Sequence, residues 1–187
     1  MPRGPARAAG ETGRRQAAAA ASRLSSRGGI DVIVTSPLQR AVQTAEEVAA
    51  VTGAPVVTDD GLRETDFGVW EGLTFTEVRE RWPSEMTAWL ADPAVAPPGG
   101  ESFAEVSERV TIALNRVLAD RERQTVLIVS HVTPIKTLVA AALLAPPRAL
   151  YRMHLDVAAL CEVDWYPDGP AVLRSFNDTA HLDTEIH

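Results

Sequence analysis

Residues 125–136 constrain the fold of this chain more than any other stretch, because they place a histidine directly after an apolar run. Val126–Val129 is an unbroken aliphatic segment of the kind that forms a strand covered on both faces. Ser130 and His131 follow where that strand would end, and Thr133-Pro134 predicts a helix N-cap and the first helical turn. We therefore expect an open α/β sheet with His131 at its carboxyl edge, where such sheets place their binding sites.

The same pattern occurs a second time, nearer the start of the chain. Residues 30–35 predict a strand, Ser36-Pro37 predicts the start of a helix, and Arg40 lies in the first turn of that helix. An arginine opposes the helix dipole there unless an anion binds at the same helix end, and a guanidinium group suits phosphate. Arg40 and His131 are thus candidate anion ligands. The alternatives are a solvent-exposed arginine and a histidine that only caps a loop.

A third candidate is the acidic and aromatic segment at residues 64–72. If a carboxyl group packs near Phe67 or Trp70, desolvation favours its protonated form, which a general acid requires. The alternative is a turn rich in Asp, Glu and Gly that Trp70 anchors. The four histidines are scattered and Cys161 is alone, so no residues have metal-ligand spacing and we predict no metal site.

The order of the predicted elements indicates one α/β domain. Helices are predicted at residues 11–26, 37–52, 74–82, 84–90, 102–121 and 133–145, strands at residues 30–35, 55–58 and 126–129, and a hairpin at residues 157–165 and 171–176. This β-α-β order predicts a three-layer α/β/α fold with a mainly parallel sheet. We assign residues 13–182 to the domain, with a disordered leader at residues 1–12 and a tail at residues 183–187.

Composition narrows the class of partner. The net charge is −7, and since residues 1–27 carry +5, the rest of the chain carries −12, which argues against binding to nucleic acid. The longest apolar stretch, about residues 137–144, is far shorter than the ~20 residues that span a bilayer, so we expect no membrane association. A single cysteine favours a reducing compartment, and we expect a cytoplasmic protein.

Four motifs in this order carry a resemblance to a known family. They are Ser36-Pro37-Leu38-Gln39-Arg40-Ala41, Glu64-x-x-Phe67-Gly68-x-x-Glu71-Gly72, Gly99-Gly100-Glu101-Ser102 and Ser130-His131. The chain resembles the histidine phosphatase superfamily, also called phosphoglycerate-mutase-like, from about residue 13 to residue 182. Residues 129–136 and 150–156 are most similar to the acid phosphatase domain that follows a ribonuclease H domain in actinobacterial bifunctional proteins, which is related to α-ribazole phosphatases.

The resemblance implies a chemistry and assigns roles to three residues. It implies acid-phosphatase-type hydrolysis of a small phosphorylated substrate through a phosphohistidine intermediate, with no metal or other cofactor. By motif, Arg40 and His131 would bind the phosphoryl oxygens, and Glu64 would protonate the leaving oxygen and then activate water. The stretch after Phe67-Gly68 lacks the larger insertion associated with mutases, so the resemblance favours hydrolysis over phosphoryl transfer.

The chain departs from the family at one motif. The family's attacking histidine belongs to an Arg-His-Gly triplet at the end of its first strand, and these 187 residues contain no such triplet. In the family that strand is central, between the strands matching residues 126–129 and those near residue 157, so the fold is expected to lack its first central strand. Three explanations are open: the sheet closes the gap, the strand comes from elsewhere, or this polypeptide is a fragment. We favour the third, with a late start codon or a truncated gene model as its cause.

The missing triplet leaves two functions open. One is a phosphomonoesterase that is inactive alone in the form given, because its nucleophile is absent. The other is a non-catalytic phosphate-binding or scaffold remnant that keeps Arg40 and His131 but cannot form the covalent intermediate.

Overall fold

The computed structural model describes residues 10–119, 121–166 and 168–182. Its strands are β1 (Val32–Thr35), β2 (Val56–Thr58), β3 (Val126–Val129), β4 (Leu160–Trp165) and β5 (Ala171–Asp178). Its α-helices are α1 (Glu11–Arg27), α2 (Gln39–Thr52), α3 (Phe75–Arg81), α4 (Pro83–Ala91), α5 (Phe103–Ala119) and α6 (Val132–Ala142). Short 3-10 helices lie at Asp60–Leu62, Gly68–Trp70 and Pro147–Arg152. The predicted order of elements is confirmed, including the two helices separated at Pro83.

The predicted leader and tail fall mainly outside the described residues. Residues 1–9 of the leader and residues 183–187 of the tail are not described, while Glu11 and Thr12 belong to α1. Among the described residues, none of the helices combines the length and apolar character needed to cross a membrane.

The main sheet is parallel, as the β-α-β order predicts. Its strand order is β2-β1-β3, and Ile33 in the central strand pairs with Val56 on one side and Leu127 on the other. Because the three strands run in one direction, their carboxyl ends meet at one edge of the sheet. Thr35 and Val129, the last residues of β1 and β3, are register partners at that edge.

Helices cover both faces of this sheet, which confirms the three-layer arrangement. Alternate side chains of a strand point to opposite faces, so Ile33 packs with Ala45 and Val48 of α2, whereas Val34 packs with Ala113 of α5. Helix α1 joins α2 on the first face through Ala21. Because apolar surface removed from water contributes ~25 cal/mol for each Å², the burial of these side chains on both faces stabilises the sheet.

Strand β3 differs from its prediction in one respect. Its side chains contribute to both layers, but all four residues of Val126–Val129 are only half-buried. The reason is position: β3 pairs with β1 alone, so in the part of the chain that the structure describes it forms the edge of the sheet. The hairpin β4-β5 forms a separate antiparallel sheet, so within these residues the main sheet does not close on it.

The starts of α2 and α6 also differ from prediction. Helix α6 has its N-cap at His131 rather than Thr133, and α2 begins at Gln39 with Leu38 as N-cap rather than at Pro37. Pro134 therefore occupies the third helical position, which is tolerated because N–H groups in the first turn have no partner within the helix.

A separate aromatic cluster lies beyond the carboxyl edge of the sheet. Trp89 of α4 is at its centre, and its ring centroid lies 5.1 Å from that of Phe103 and 5.8 Å from that of Trp70. Phe67 and Tyr151 also pack against Trp89, mostly edge to face, as aromatic rings prefer. The cluster packs α3, α4 and the loop after β2 against Phe103, the first residue of α5.

Candidate functional site

Two polar side chains are buried together where β1 and β3 end. Ser36 follows β1 and is fully buried, and His131 follows β3 and is 7% exposed. The Ser36 amide donates to the Val129 carbonyl at 2.9 Å, and the His131 Nε2 atom lies 2.8 Å from Ser36 Oγ. The predicted placement of His131 at the carboxyl edge of the sheet is confirmed.

Arg40 contacts the same histidine. The Arg40 Nε–H donates to His131 Nδ1 at 3.2 Å, from the first turn of α2. Because guanidinium can only donate, Nδ1 must be the acceptor, and the hydrogen of the neutral ring is then on Nε2, where it faces Ser36 Oγ. Arg40, predicted from a motif 91 residues away in sequence, is therefore brought into direct contact with His131.

Burial determines the charge state of this histidine. Desolvation, as the largest cause, and the positive charges of Arg40 and Arg109 together lower the pKa of His131 from 6.5 to about 3. The ring is thus neutral near pH 7. An anion bound beside the ring would oppose the two electrostatic causes, those from Arg40 and Arg109. A strongly perturbed titratable group of this kind marks a candidate functional site.

Neither of the two helices that begin at this edge has a capping bond from the side chain of its own N-cap residue. The N-cap residues are Leu38 for α2 and His131 for α6, neither makes a side-chain capping bond, and neither helix has an acid in its first turn. Ser36 Oγ accepts a bond from the Leu38 amide at 3.3 Å. Two helix N-termini with a partial positive charge and an arginine therefore face one place, an arrangement that suits an anion.

Glu64 lies at the start of α6. One of its carboxylate oxygens accepts a 3.3 Å bond from the Thr133 amide and a 2.9 Å bond from the Thr65 amide. The sequence predicted a carboxyl group packed near Phe67 or Trp70; in the structure both rings pack against Trp89. Backbone N–H groups rather than aromatic rings set the position of Glu64.

The loop that carries Glu64 is held by α5 through Arg109, which sequence reasoning missed. The Arg109 guanidinium binds Glu101 through both of its carboxylate oxygens, at 2.6 and 2.8 Å. It also donates to the carbonyl oxygens of Gly61, Arg63 and Glu64 at 2.8 to 3.2 Å. The signal was present: Arg109 lies on the face of α5 that otherwise buries Val106, Val110 and Ala113.

Three further contacts attach the same loop to the rest of the site. The Glu101 backbone N–H donates to the Asp66 carbonyl at 2.8 Å, and the Glu101 carboxylate accepts a bond from the Asp66 amide. The Ser130 hydroxyl donates to the Leu62 carbonyl at 2.7 Å. The motifs containing Glu64, Glu101 and Ser130 are thus joined in space.

The close approach of two loop backbones depends on a pair of glycines. A Cβ on Gly68 would lie 2.3 Å from the Pro98 carbonyl oxygen, and a Cβ on Gly100 would lie 2.5 Å from the Asp66 carbonyl oxygen. Gly68 also has a φ of +55°. Only residues without a side chain let the two segments cross at this distance.

The other chemistry-bearing residues of the described chain lie elsewhere. His154 is exposed and bonds the Asp156 carboxylate, while His181 bonds the Ala158 carbonyl beside the β4-β5 hairpin. Cys161 lies in β4, where burial raises the pKa of its thiol. Among the residues that the structure describes, no group of three or more His, Cys, Asp or Glu could hold a metal ion.

Comparison with known proteins agrees with the geometry. Residues 10–179 match the family model of the histidine phosphatase superfamily (branch 1). The chain is 51% identical over 172 residues to the bifunctional protein Rv2228c of Mycobacterium tuberculosis, covering 92% of this chain and 47% of that protein. The chain therefore spans about half the length of this relative.

Two further proteins are similar over most of their lengths. Phosphoserine phosphatase 1 of Hydrogenobacter thermophilus is 34% identical over 173 residues, which is 92% of this chain and 81% of that protein. The structure of the mycobacterial glucosyl-3-phosphoglycerate phosphatase Rv2419c superposes with a TM-score of 0.83 at 31% identity, covering 92% of this chain and 89% of that one.

Proposed function

Because the chain belongs to the histidine phosphatase superfamily, we propose that its site serves acid-phosphatase-type hydrolysis of small phosphate monoesters in the cytoplasm, without a metal and without nucleic acid as substrate. The observation that carries this proposal is the contact between Arg40 and His131 at two uncapped helix starts, with Glu64 beside them. Similarity to two phosphatases supports it.

In this proposal the positive end of the site binds the phosphoryl group. Among the residues that the structure describes, the Arg40 guanidinium bonds His131 through Nε alone, so its other N–H groups can donate to a ligand. Helices α2 and α6 both begin beside this contact. Charge-assisted bonds of this kind are about twice as strong as neutral ones. His131, held by Arg40 and Ser36, completes the ligand set once an anion restores its proton.

Glu64 supplies the proton steps. A histidine nitrogen attacks phosphorus, the bond from phosphorus to the ester oxygen breaks, and Glu64 gives its proton to that oxygen. Water then attacks the phosphohistidine, the phosphorus–nitrogen bond breaks, and Glu64 takes back the proton. The bond from the Thr133 amide holds Glu64 at the start of α6, and this position supports its proposed role as the proton donor to the leaving group.

The attacking histidine is the component that we place outside these 187 residues. Of the three histidines that the structure describes, His131 has both ring nitrogens engaged, and His154 and His181 bond to residues near the hairpin. The outer edge of β3 has no strand partner in the described chain, and the β4-β5 hairpin lies in a separate sheet. A strand between β3 and β4 that ends in Arg-His-Gly would bring a histidine to the same carboxyl edge.

A paired assay tests this proposal. We compare the chain as given with a form extended by an apolar strand ending in Arg-His-Gly, using 4-nitrophenyl phosphate in the presence of a chelator. Turnover and an acid-labile phosphoenzyme are expected from the extended form alone, and its His→Ala variant at the added triplet is the matched control. Turnover by the chain as given would refute the assignment of the nucleophile.

The alternative function is a phosphate-binding or scaffold protein without catalysis. It is favoured by the same observation, because Arg40 and His131 form an anion site without a free histidine nitrogen. Phosphate binding by both forms with turnover by neither would select this alternative.

A further inference from the structure

Ser36 joins the two helix starts at the carboxyl edge of the sheet. Its Oγ atom lies 2.8 Å from Nε2 of His131, which is the N-cap residue of α6. The same Oγ atom accepts a 3.3 Å bond from the amide of Leu38, the N-cap residue of α2. Ser36 is fully buried, and its own amide donates to the Val129 carbonyl at 2.9 Å. Three bonds and complete burial therefore fix the position of this hydroxyl group.

The direction of the bond between Ser36 and His131 follows from Arg40. The Arg40 Nε–H can only donate, so His131 Nδ1 accepts and the proton of the neutral ring lies on Nε2. If Ser36 donated to Nε2 instead, the ring proton would have to lie on Nδ1, where Arg40 Nε is 3.2 Å away. The Nε2–H of His131 therefore donates to Ser36 Oγ.

Protonation of the ring changes the bonding of the other nitrogen alone. The Nε2–H keeps its bond to Ser36, whereas a new hydrogen on Nδ1 would face the Arg40 Nε–H, and two donors cannot bond each other. An oxygen atom of a bound anion can accept a bond from both donors at once. The contact between Arg40 and His131 is thus the place that an anion oxygen would enter.

The charges on the surrounding elements favour this exchange. Arg40 of α2 and Arg109 of α5 act on the ring and lower its pKa, while Glu64, in the loop after β2, accepts a bond from the Thr133 amide. Lys136 lies further along α6. An anion that reaches the ring offsets the charge of Arg40, so that a positive charge on the ring becomes less costly.

We propose that an oxygen of the bound phosphate enters between Arg40 and His131, and that Ser36 is the positioning residue that holds the ring by Nε2 during this exchange. The inference rests on the proposed function, since it describes how the same site binds phosphate. The exchange takes up one proton from solvent, which forms the new Nδ1–H bond, and breaks the hydrogen bond from Arg40 Nε. Both donors then point to the anion.

Nitrogen NMR of the full chain with isotope-labelled histidine tests the exchange. Sulfate is the probe, because it is a tetrahedral dianion that does not titrate near neutral pH. Without sulfate, the His131 ring should carry a hydrogen on Nε2 alone, and with saturating sulfate at about pH 6 it should carry a hydrogen on both nitrogens. The spectrum of His131→Gln assigns the signals. A hydrogen on Nδ1 before sulfate is added, or a ring that stays neutral with sulfate bound, overturns the inference.

A pH profile of sulfate affinity separates positioning from structural support. From about pH 7.5 to about pH 5.5, the affinity of the wild type should rise by up to about tenfold for each unit that the pH falls, as uptake of one proton requires. Ser36→Ala leaves the Nε2–H without an acceptor, so its affinity at about pH 6 should be about tenfold lower and its profile should be flatter. Ser36→Thr keeps the hydroxyl group and should keep the profile.

Thr137→Val is the matched control for the loss of a buried hydroxyl group. It removes the 2.9 Å bond from Thr137 Oγ1 to the Thr133 carbonyl, in the same helix as His131, and should keep the wild-type profile. A flat profile in the wild type, an unchanged profile in Ser36→Ala, or equal flattening in Thr137→Val overturns the role of Ser36 and leaves the anion site in place. If Ser36→Ala does not fold, the spectra of the wild type are the test. Failure of the wild type to bind sulfate and inorganic phosphate overturns the proposed function and this inference with it.

Discussion

The helices of this protein begin in two different ways. Helices α3 and α5 each open with a complete capping box, Thr74 with Glu77 and Ser102 with Glu105, in which hydroxyl and carboxylate satisfy each other's backbone amides. Helices α2 and α6, which open at the carboxyl edge of the sheet, have no side-chain cap. Helices α1 and α4 also lack a capping bond from the side chain of the N-cap residue, so this absence is not confined to the site. The contrast that matters here is between α3 and α5, whose starts are closed by their own capping boxes, and α2 and α6, whose starts adjoin the contact between Arg40 and His131.

The start of α6 should make the stability of the fold depend on pH through His131, its N-cap residue. Because the folded pKa of His131 is about 3 against an ordinary 6.5, the unfolded chain takes up a proton first as pH falls. The contribution of neutral His131 to stability is therefore complete above pH 6.5 and is lost as pH falls towards 3. The free energy of unfolding should fall by roughly 3 kcal/mol between pH 6.5 and pH 4. Urea unfolding of the wild type and His131→Gln should show this difference in pH slope, and exposed His154→Gln should retain the wild-type slope.

Removal of the cation at an uncapped start should abolish most anion binding. Arg40→Leu removes charge-assisted donors worth ~2 kcal/mol or more, so its dissociation constant for inorganic phosphate should rise by roughly 30-fold or more. Calorimetric titration measures it. Arg79→Leu, which changes an exposed arginine of α3, is the control; an equal effect from the control would mean that the binding is nonspecific.

Loss of a capping box should affect stability alone. Ser102→Ala removes the α5 cap and should lower the free energy of unfolding by about 1 kcal/mol. Phosphate affinity should stay within about twofold, because the α5 start does not face the site. A large loss of phosphate affinity in this variant would contradict the division between the two kinds of helix start.

Addition of a cap at the start of α2 should have the smallest effect of these changes. It should stabilise the fold and weaken phosphate binding, and these opposite directions test the assignment. Leu38→Asp supplies a capping carboxylate at the start of α2 and should raise the free energy of unfolding by about 0.5 kcal/mol. The same carboxylate occupies the N–H groups that face the site, so phosphate affinity should fall by roughly fivefold. Leu38→Asn separates capping from charge, and an increase in affinity with either variant would contradict the assignment.

The predictable part of this site follows from local patterns and one topological rule. Each strand end with its helix start could be read from its own segment, and parallel pairing then required Ser36 and His131 to meet. The position of Arg109 could not be read in this way, because it bonds loop carbonyls more than forty residues away, for which no periodic pattern exists. The helix starts were misplaced by one or two residues because proline fits at several first-turn positions.

The crossing of the loops at Gly68 and Gly100 restricts how sequences of this kind can change. The two residues are 32 positions apart in the chain, yet a methyl group on either would collide with the backbone of the other's loop. A side chain at either position alone collides with the opposite loop, so no single substitution of these glycines is tolerated without moving a loop. A double substitution would require both loops to move apart. The motif that contains Phe67-Gly68 and the motif that contains Gly99-Gly100 are therefore expected to be retained together. A related chain that keeps Phe67-Gly68 should also keep Gly99-Gly100.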